Sequence, residues 1–477
     1  MMKVADPNPR ETEAGIAHVG CVTQVSDLFS ESRPEACVTR AWLRFSVATF
    51  VDTARVTNVP APAVALSLRQ NFAWTTAGNF VYAGCQWAIV WLFAKLGNPE
   101  MVGHYALGLA VTAPLLMLGQ LNLRAVLATD VSREHAVRDY CGLRLSVTAL
   151  SLLAIAAICY AAGYPRELSL VILAVGVAQS VEGVSDIYYG VLQLQERMER
   201  IAISMAARGT ASVIAIGCGI YFTHSVLYSI LALIAVRLLV LVLYDSRQAL
   251  TDLPGATARV PGTFAFHARN QLHLVWVALP LGVVLMLGAL SSNTPRYFIE
   301  HDFGSRELGI FSAIASLINV GKTLVNALGQ AGMPRLAKLF ARGELRPFAI
   351  MAGQLVGTGA AVGAGGVAIA AMFGRQLLTV VFKSEYAPYS TLLIALMISG
   401  AFDNVASLLG YTITAARSFR LQMPLLIAVA GVTVLTSFLL IPSQGLSGAA
   451  LAVGAGAIVQ IFGSLLILGH AMRDHAA

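Results

Sequence analysis

The sequence predicts an all-α polytopic membrane protein with about twelve transmembrane helices in two pseudo-symmetric six-helix lobes. From Leu68 onward the chain consists of apolar stretches of about 20 residues, the length that an α-helix needs to cross a bilayer. The composition agrees, because 57% of the residues are hydrophobic and 12% are charged, against about 25% charged residues in soluble domains. A weak internal repeat predicts the two lobes. A water-soluble fold offers no reason for so many stretches of this length.

The individual spans follow from the apolar stretches and from the charged residues that separate them. We place them at 72–95, 102–121, 144–163, 168–191, 201–222, 225–245, 272–292, 308–330, 348–373, 387–410, 421–441 and 447–470. They define an N-terminal tail at 1–68, an N-lobe at 69–246, an inter-lobe linker at 247–271 and a C-lobe at 272–477.

Positively charged residues set the predicted orientation. When both termini are placed in the cytoplasm, the inner loops and helix ends hold the larger share of the arginines and lysines, as the positive-inside rule requires. The opposite side holds Lys95, Arg166, Arg296, Arg306, Arg375 and Lys383. The net charge of +7 is the expected result of this topology, so it does not indicate nucleic-acid binding. The six cysteines are scattered and have no CxxC spacing, which indicates neither a disulfide framework nor a metal site.

Residues 1–68 differ from the rest of the chain, since they contain prolines and mixed charges but no apolar run long enough to span a bilayer. They also lack a signal-like apolar region with a small-residue cleavage site, which argues against export of this segment. We interpret them as a disordered cytoplasmic tail or as residues upstream of the true start codon. A short interfacial helix at 41–56 is the alternative, because aromatic residues and arginines alternate there.

The internal repeat relates the first two helices of each predicted lobe. The segment 96–106 aligns with 303–312 after one deletion, which matches Gly97 with Gly304, Glu100 with Glu307 and Gly103 with Gly309. Because six helices is an even number, the two lobes have the same orientation and are related by an axis along the membrane normal. This arrangement places a solute path between the lobes. We therefore predict a transporter that works by alternating access.

Several runs in the N-terminal half resemble bacterial polysaccharide repeat-unit flippases, the O-antigen and exopolysaccharide exporters of the multidrug/oligosaccharidyl-lipid/polysaccharide superfamily. They are Asn-Phe-Val-Tyr at 79–82, Gln-Trp at 86–87, and the segments 94–103, 110–114, 123–130, 186–190 and 196–202. The resemblance implies a V-shaped pair of lobes in the bacterial inner membrane. It also implies a polyprenyl-diphosphate-linked oligosaccharide as substrate. The implied partners are membrane lipids and polysaccharide polymerase or assembly proteins.

Charged residues within the spans point to the chemistry of the transport path. A charge at the bilayer centre costs about 3 kcal/mol on insertion scales, so each one needs a reason. A lipid diphosphate brings negative charge that must leave water, and arginine replaces that hydration with bidentate hydrogen bonds. We predict that the substrate is bound by Arg208, Arg237 and Lys322, with Arg124 at the rim of the cavity. The alternative for Arg124, Arg237 and Lys322 is snorkelling of the side chain to the lipid headgroups.

The acidic residues inside the spans are Glu182, Asp186 and Asp403. Glu182 and Asp186 are four residues apart and therefore share one face of a helix. Together they are candidates to bind a coupling proton or sodium ion, because burial and mutual repulsion favour protonation of one of them. The alternative is a static network of ion pairs with the arginines of neighbouring helices, and Asp403 has the same two interpretations.

Other functions are disfavoured by what the sequence lacks. A multidrug or organic-cation antiporter of the same superfamily is the first alternative, but its cavity is expected to be acidic and aromatic. A membrane polysaccharide polymerase or ligase needs a sizeable soluble active-site loop, whereas the predicted outer loops are short. The sequence has neither an Asp-x-Asp metal motif nor a nucleotide-binding loop, so we predict no cofactor, no metal and no enzymatic activity.

Overall fold

The computed structural model describes residues 67–129, 137–251 and 268–476, and in these ranges the regular structure is helical. The predicted N-terminal tail and most of the predicted inter-lobe linker lie outside the described residues. The helices are α1 Leu68–Leu96, α2 Pro99–Gln120, α3 Leu123–Thr129, α4 Val137–Ala161, α5 Arg166–Leu194, α6 Met198–Thr223, α7 Val226–Val240, α8 Ser246–Thr251, α9 Ala268–Ser316, α10 Ile318–Ala341, α11 Leu345–Val381, α12 Ser390–Ala415, α13 Phe419–Gln444 and α14 Leu446–Ala476.

Ten helical segments of the described chain are long and apolar enough to cross a membrane, so the protein is a multi-pass membrane protein. The predicted spans 72–95 and 308–330 fall largely in α1 and α10, which are not among the ten. Both helices carry amide or charged side chains, including Asn79 and Gln86 in α1 and Lys322 and Asn326 in α10. The number twelve therefore stays a prediction.

The connection that we expected between residues 292 and 308 is helical instead, apart from a break at Gly304, where φ is +82°. Polar residues in this segment lower its hydropathy, which made it resemble a loop. In the structure their side chains donate to the helix itself: Ser292 to the carbonyl of Gly288 at 2.8 Å and Thr294 to that of Leu290 at 2.8 Å. Side-chain polarity is thus satisfied within the helix, which makes the segment compatible with the membrane.

Packing follows the two halves of the chain. In the first half α1 packs against α6, and α5 packs against α2, α4 and α7; in the second half α12 packs against α11 and α14, and α14 against α13. The largest contact between the halves joins α2 and α9. At this crossing Gly103 lies backbone to backbone with Gly309. The internal repeat aligns these two glycines, so equivalent positions of the two halves meet, as expected near a pseudo-two-fold axis.

A second contact between the halves lies at the predicted outer end, where α1 and α11 finish side by side. Lys383 Nζ donates to the carbonyl of Gly97 at 2.6 Å, and Lys95 Nζ donates to that of Val380 at 3.1 Å. Trp91 Nε1 donates to the carbonyl of Val381 at 2.6 Å. The last carbonyls of a helix have no partner within the helix, so each half supplies donors to a helix end of the other.

Candidate functional site

The first half of the bundle buries a carboxylate between two arginines. Glu182 lies on α5, Arg208 on α6 and Arg237 on α7, and these three helices are neighbours in the packing. Arg237 Nη1 is 2.9 Å from Glu182 Oε2, and Arg208 Nη2 is 3.8 Å from Glu182 Oε1. Arg208 is 3% exposed and Arg237 2% exposed. Buried charges of this kind persist only when they are paired, so the three side chains form one electrostatic unit.

Tyrosine side chains complete this unit. The guanidinium carbon of Arg208 is 5.2 Å from the ring centre of Tyr82 and 5.2 Å from that of Tyr189, which places the cation between two aromatic faces. Tyr82 donates a hydrogen bond to Glu182, and Gln86 Nε2 donates to Tyr82 Oη at 2.7 Å. The position of Arg208 is therefore fixed by two rings from α1 and α5 as well as by the carboxylate.

A hydrogen-bonded chain leads from this unit towards α7 and α8. Tyr189 Oη is 2.7 Å from Ser204 Oγ, and Ser204 in turn donates to Asp245. Asp245 is 1% exposed and ends a π-helical turn at Leu241–Asp245 that interrupts the helical ladder. Such turns are often found at functional sites.

Asp186 lies one turn beyond Glu182 on α5 and has a different partner. Arg124 Nη1 is 3.0 Å from Asp186 Oδ1, and Arg124 Nε donates to Gln193 Oε1 at 3.1 Å. Both acidic residues of the predicted pair are thus engaged by arginines from other helices, which is the arrangement of the ion-pair interpretation. Their role in ion coupling stays a prediction.

The second half of the bundle contains a separate ion pair. Lys322 Nζ on α10 is 2.6 Å from Asp403 Oδ2 on α12, and both side chains are partly exposed. Asp403, which has no charged neighbour in the sequence, therefore has its partner on another helix. The structure brings Arg208, Arg237 and Glu182 together in the first half, whereas Lys322 and Asp403 form their own pair in the second.

Two cavities connect these groups. The larger, of about 500 Å³, lies between the halves and has Arg237 and Lys322 in its wall. The rest of its wall is partly apolar, and it also carries amide, hydroxyl and aromatic side chains, namely Gln86, Gln179, Ser316, Asn319, Thr323, Asn326, Trp87 and Tyr105. The smaller, of about 300 Å³, lies within the first half and is lined by Arg124, Glu182, Asp186 and Arg208. Gln86 and Gln179 line both, so a charged chamber adjoins a larger one with a mixed polar and apolar lining.

Sequence reasoning missed four residues of this region: Tyr82, Tyr189, Asp245 and Arg144. Tyr82 and Gln86 are spaced by four residues like Glu182 and Asp186, which was an available signal for a shared helix face. The predicted span 144–163 begins at Arg144 and so places it at a helix end, but in the structure it is 2% exposed and lies against Gly183. Its Nε and Nη2 have no hydrogen-bond partner among the described residues. No sequence pattern distinguishes a buried arginine near a helix end from an exposed one.

Comparison with known proteins decides the family. A family described as "Polysaccharide biosynthesis protein" matches residues 68–340, which is more than half of the chain. The chain belongs to this family. It is also similar to the capsular polysaccharide biosynthesis protein CapF of Staphylococcus aureus, with 27% identity over 388 residues that cover 80% of this chain and 95% of CapF. The resemblance found in the sequence is thereby confirmed.

Solved structures show the same fold at low sequence identity. The lipid II flippase MurJ in an inward closed conformation matches with a TM-score of 0.66 and 11% identity, covering 84% of this chain and 90% of MurJ. An inward-facing multidrug resistance transporter of the MATE family, from the MOP superfamily, matches with a TM-score of 0.58 and 13% identity, and the match covers 87% of this chain and 97% of the transporter. At this level of identity the likeness shows the fold, which confirms the predicted all-α polytopic class.

Proposed function

We propose that this protein moves polyprenyl-diphosphate-linked oligosaccharides across the bacterial inner membrane during the synthesis of surface polysaccharide or lipopolysaccharide. The observation that carries the proposal is the buried pair Arg208 and Arg237 beside two connected cavities, in a chain of the polysaccharide biosynthesis family. Two guanidinium groups removed from water match the charge and geometry of a diphosphate. We infer transport rather than catalysis, and this is consistent with the family and with the transporters that share the fold.

The two cavities suggest which part of the substrate each of them holds. The charged chamber of the first half would hold the diphosphate, with Arg124 at its rim and Arg208 in its wall, and Arg237 would reach it from the wall of the adjoining larger cavity. The larger cavity offers amide and hydroxyl groups for sugar hydroxyls and the rings of Trp87 and Tyr105 for the apolar faces of sugars. Lys322 reaches this cavity from the second half. The substrate would therefore touch both halves, as alternating access between them requires.

The membrane and partners follow from the same proposal. Both termini would be cytoplasmic, so that the substrate enters from the cytoplasmic leaflet. The partners would be the lipid-linked oligosaccharide, membrane lipids, and polymerase or assembly proteins that receive the flipped repeat unit. A multidrug antiporter is the second candidate because a MATE transporter shares the fold. A cationic drug would, however, have to compete with an arginine or lysine for each of Glu182, Asp186 and Asp403.

The test is complementation of a deletion strain, with surface polysaccharide and lipid-linked repeat units measured together. The variants are Arg208→Ala, Arg237→Ala and Lys322→Ala, and the matched control is Arg375→Ala, because Arg375 is exposed and lines neither cavity. We expect the deletion and the first two variants to lose polymer and to accumulate repeat units on the cytoplasmic leaflet. Normal polymer in the deletion strain, or repeat units already on the outer face, would refute flipping and favour an exporter or a polymerase.

A further inference from the structure

Glu182 occupies the place that an anionic ligand of the two buried arginines would take. Its two carboxylate oxygens are divided between them, with Oε2 at 2.9 Å from Arg237 Nη1 and Oε1 at 3.8 Å from Arg208 Nη2. The second distance is longer than a hydrogen bond, and Arg237 Nη1 donates its hydrogen bond to the carbonyl of Ala178 at 3.0 Å, so Glu182 holds both guanidinium groups by electrostatic attraction. A carboxylate and a phosphate group present the same kind of paired oxygen acceptors to a guanidinium group.

The arginines have hydrogen-bonding capacity that Glu182 does not use. Within the described part of the chain, Nε and Nη1 of Arg208 and Nε of Arg237 are buried and have no hydrogen-bond partner. Each guanidinium group carries five N–H donors, and buried donors without partners are costly. A diphosphate has more acceptor oxygens than one carboxylate, so it would satisfy donors that the resident side chain leaves unpaired.

We propose that Glu182 is a resident counter-anion, which the diphosphate displaces from Arg208 and Arg237 and which expels the diphosphate when it returns. This inference rests on the proposed function. Without a counter-anion, the empty site would bury two unpaired cations, and the occupied site would hold the diphosphate too tightly for release. An internal competitor solves both problems, because it compensates the cations in the empty state and opposes the bound state.

The surroundings give the displaced carboxylate a place to go. Tyr82 on α1 donates a hydrogen bond to Glu182, and Gln86 one turn further along α1 donates to Tyr82. These donors come from a different helix from the arginines, so Glu182 can keep them while its contacts with the guanidinium groups lengthen. Gln86 and Tyr82 both line the charged chamber. Asp186 has no such arrangement, since its partner Arg124 lies at the more exposed rim.

The test uses the purified full-length protein and farnesyl diphosphate as the probe, with binding measured by titration calorimetry in detergent. Glu182→Gln removes the competing charge and keeps the shape, so we expect it to bind the probe about tenfold more tightly than the wild type, within the usual range of coupling between sites. Glu182→Asp shortens the side chain and draws the carboxylate back from the arginines, so its affinity for the probe is expected to lie between those of the wild type and Glu182→Gln. Glu167→Gln makes the same substitution at an exposed position of α5 and is expected to leave binding unchanged.

The same variants are then assayed for surface polysaccharide in the complemented deletion strain. We expect Glu182→Gln to make less polymer than the wild type although it binds the probe more tightly, because release of the diphosphate is slowed. If Glu182 had only a structural role, the substitution would lower both the polymer yield and the affinity for the probe. The competition would be refuted if Glu182→Gln and Glu182→Asp bind the probe no more tightly than the wild type does. The proposed function would stay intact in that case, provided that the wild type binds the probe and Arg208→Gln does not. If the wild type binds farnesyl diphosphate no better than Arg208→Gln does, both proposals fail together.

Discussion

Tyr82 shows how much of the site depends on a single side chain, because it contacts two charged groups at once. Its ring faces the guanidinium of Arg208, and its hydroxyl donates to Glu182. We expect Tyr82→Phe to destabilise the protein by about 1 kcal/mol through the lost hydrogen bond. Tyr82→Leu also removes the aromatic face and should cost about 1–3 kcal/mol. Thermal unfolding of the purified protein measures both, and equal stability of the two variants would show that the ring contributes nothing.

The ion pair of Lys322 and Asp403 separates a structural role from a coupling role. Lys322→Met alone leaves the carboxylate of Asp403 without its 2.6 Å partner, and we expect a loss of about 1 kcal/mol because both side chains are partly exposed. The double variant Lys322→Met with Asp403→Asn should recover most of this stability.

Transport by that double variant distinguishes the two interpretations of Asp403. If the ion pair only joins α10 to α12, the double variant is stable and is expected to make surface polysaccharide. An inactive but folded double variant would show that the pair takes part in transport, and Asp403→Asn, which keeps Lys322 in the larger cavity, is expected to be inactive too if Asp403 carries a coupling ion. Polysaccharide measured beside the unfolding temperature in the same strains gives the answer.

At the residue scale, the sequence identified the charged groups but not their partners. Burial cost alone selects Arg208, Arg237 and Glu182, because any charge inside a span must have a reason. Which arginine meets which carboxylate depends on helix rotation, and apolar periodicity does not report it where lipid and neighbouring helices are both apolar. For the same reason the sequence did not predict that Tyr82, Tyr189 and Arg144 lie in this region.

At the scale of helices, the α2 and α9 crossing depends on two glycines. A Cβ atom at Gly103 would clash with the carbonyl of Ser305, and one at Gly309 with the carbonyl of Pro99. Backbone atoms cannot move aside as side chains do, so we expect Gly103→Ala and Gly309→Ala each to cost about 1–3 kcal/mol. Gly431→Ala is the matched control, because no atom lies near its Cβ position and alanine favours a helix. If the two variants unfold at the same temperature as the control, the tight crossing of α2 and α9 is contradicted.

Helix existence was predictable from hydropathy, but helix ends were not. The polar run in α9 reads as a loop, because hydropathy cannot register that Ser292, Asn293 and Thr294 donate to their own helix. The predicted spans in α1 and α10 stay predictions, because these two helices carry polar side chains that line the larger cavity and are less apolar than the ten others along a membrane-length window. Helices that line a cavity are those for which hydropathy is least informative.

At the scale of the whole molecule, the internal repeat was the most productive sequence signal. A short alignment of 96–106 with 303–312 paired Gly103 with Gly309, and these residues meet in the fold. The same alignment cannot predict the contact between α1 and α11, because Lys95 and Lys383 do not occupy equivalent positions in it. Symmetry thus accounts for the crossing of the halves, and side-chain chemistry that is specific to each half accounts for how their ends are joined.

Those joined ends predict a conformational equilibrium between the halves. Lys95 and Lys383 each donate to a carbonyl at the helix end of the other half, so both contacts must break if the predicted outer end opens. We expect the double variant Lys95→Met with Lys383→Met to shift the population towards an open end, since each lost hydrogen bond is worth about 1 kcal/mol. Spin labels at positions 96 and 380, whose side chains are exposed, measure the opening in a chain freed of native cysteines. Lys338→Met is the matched control. If the distance distribution in the double variant coincides with that of the control, the two lysines are not needed to hold this end closed, and the α2 and α9 crossing together with the hydrogen bond from Trp91 to Val381 is sufficient.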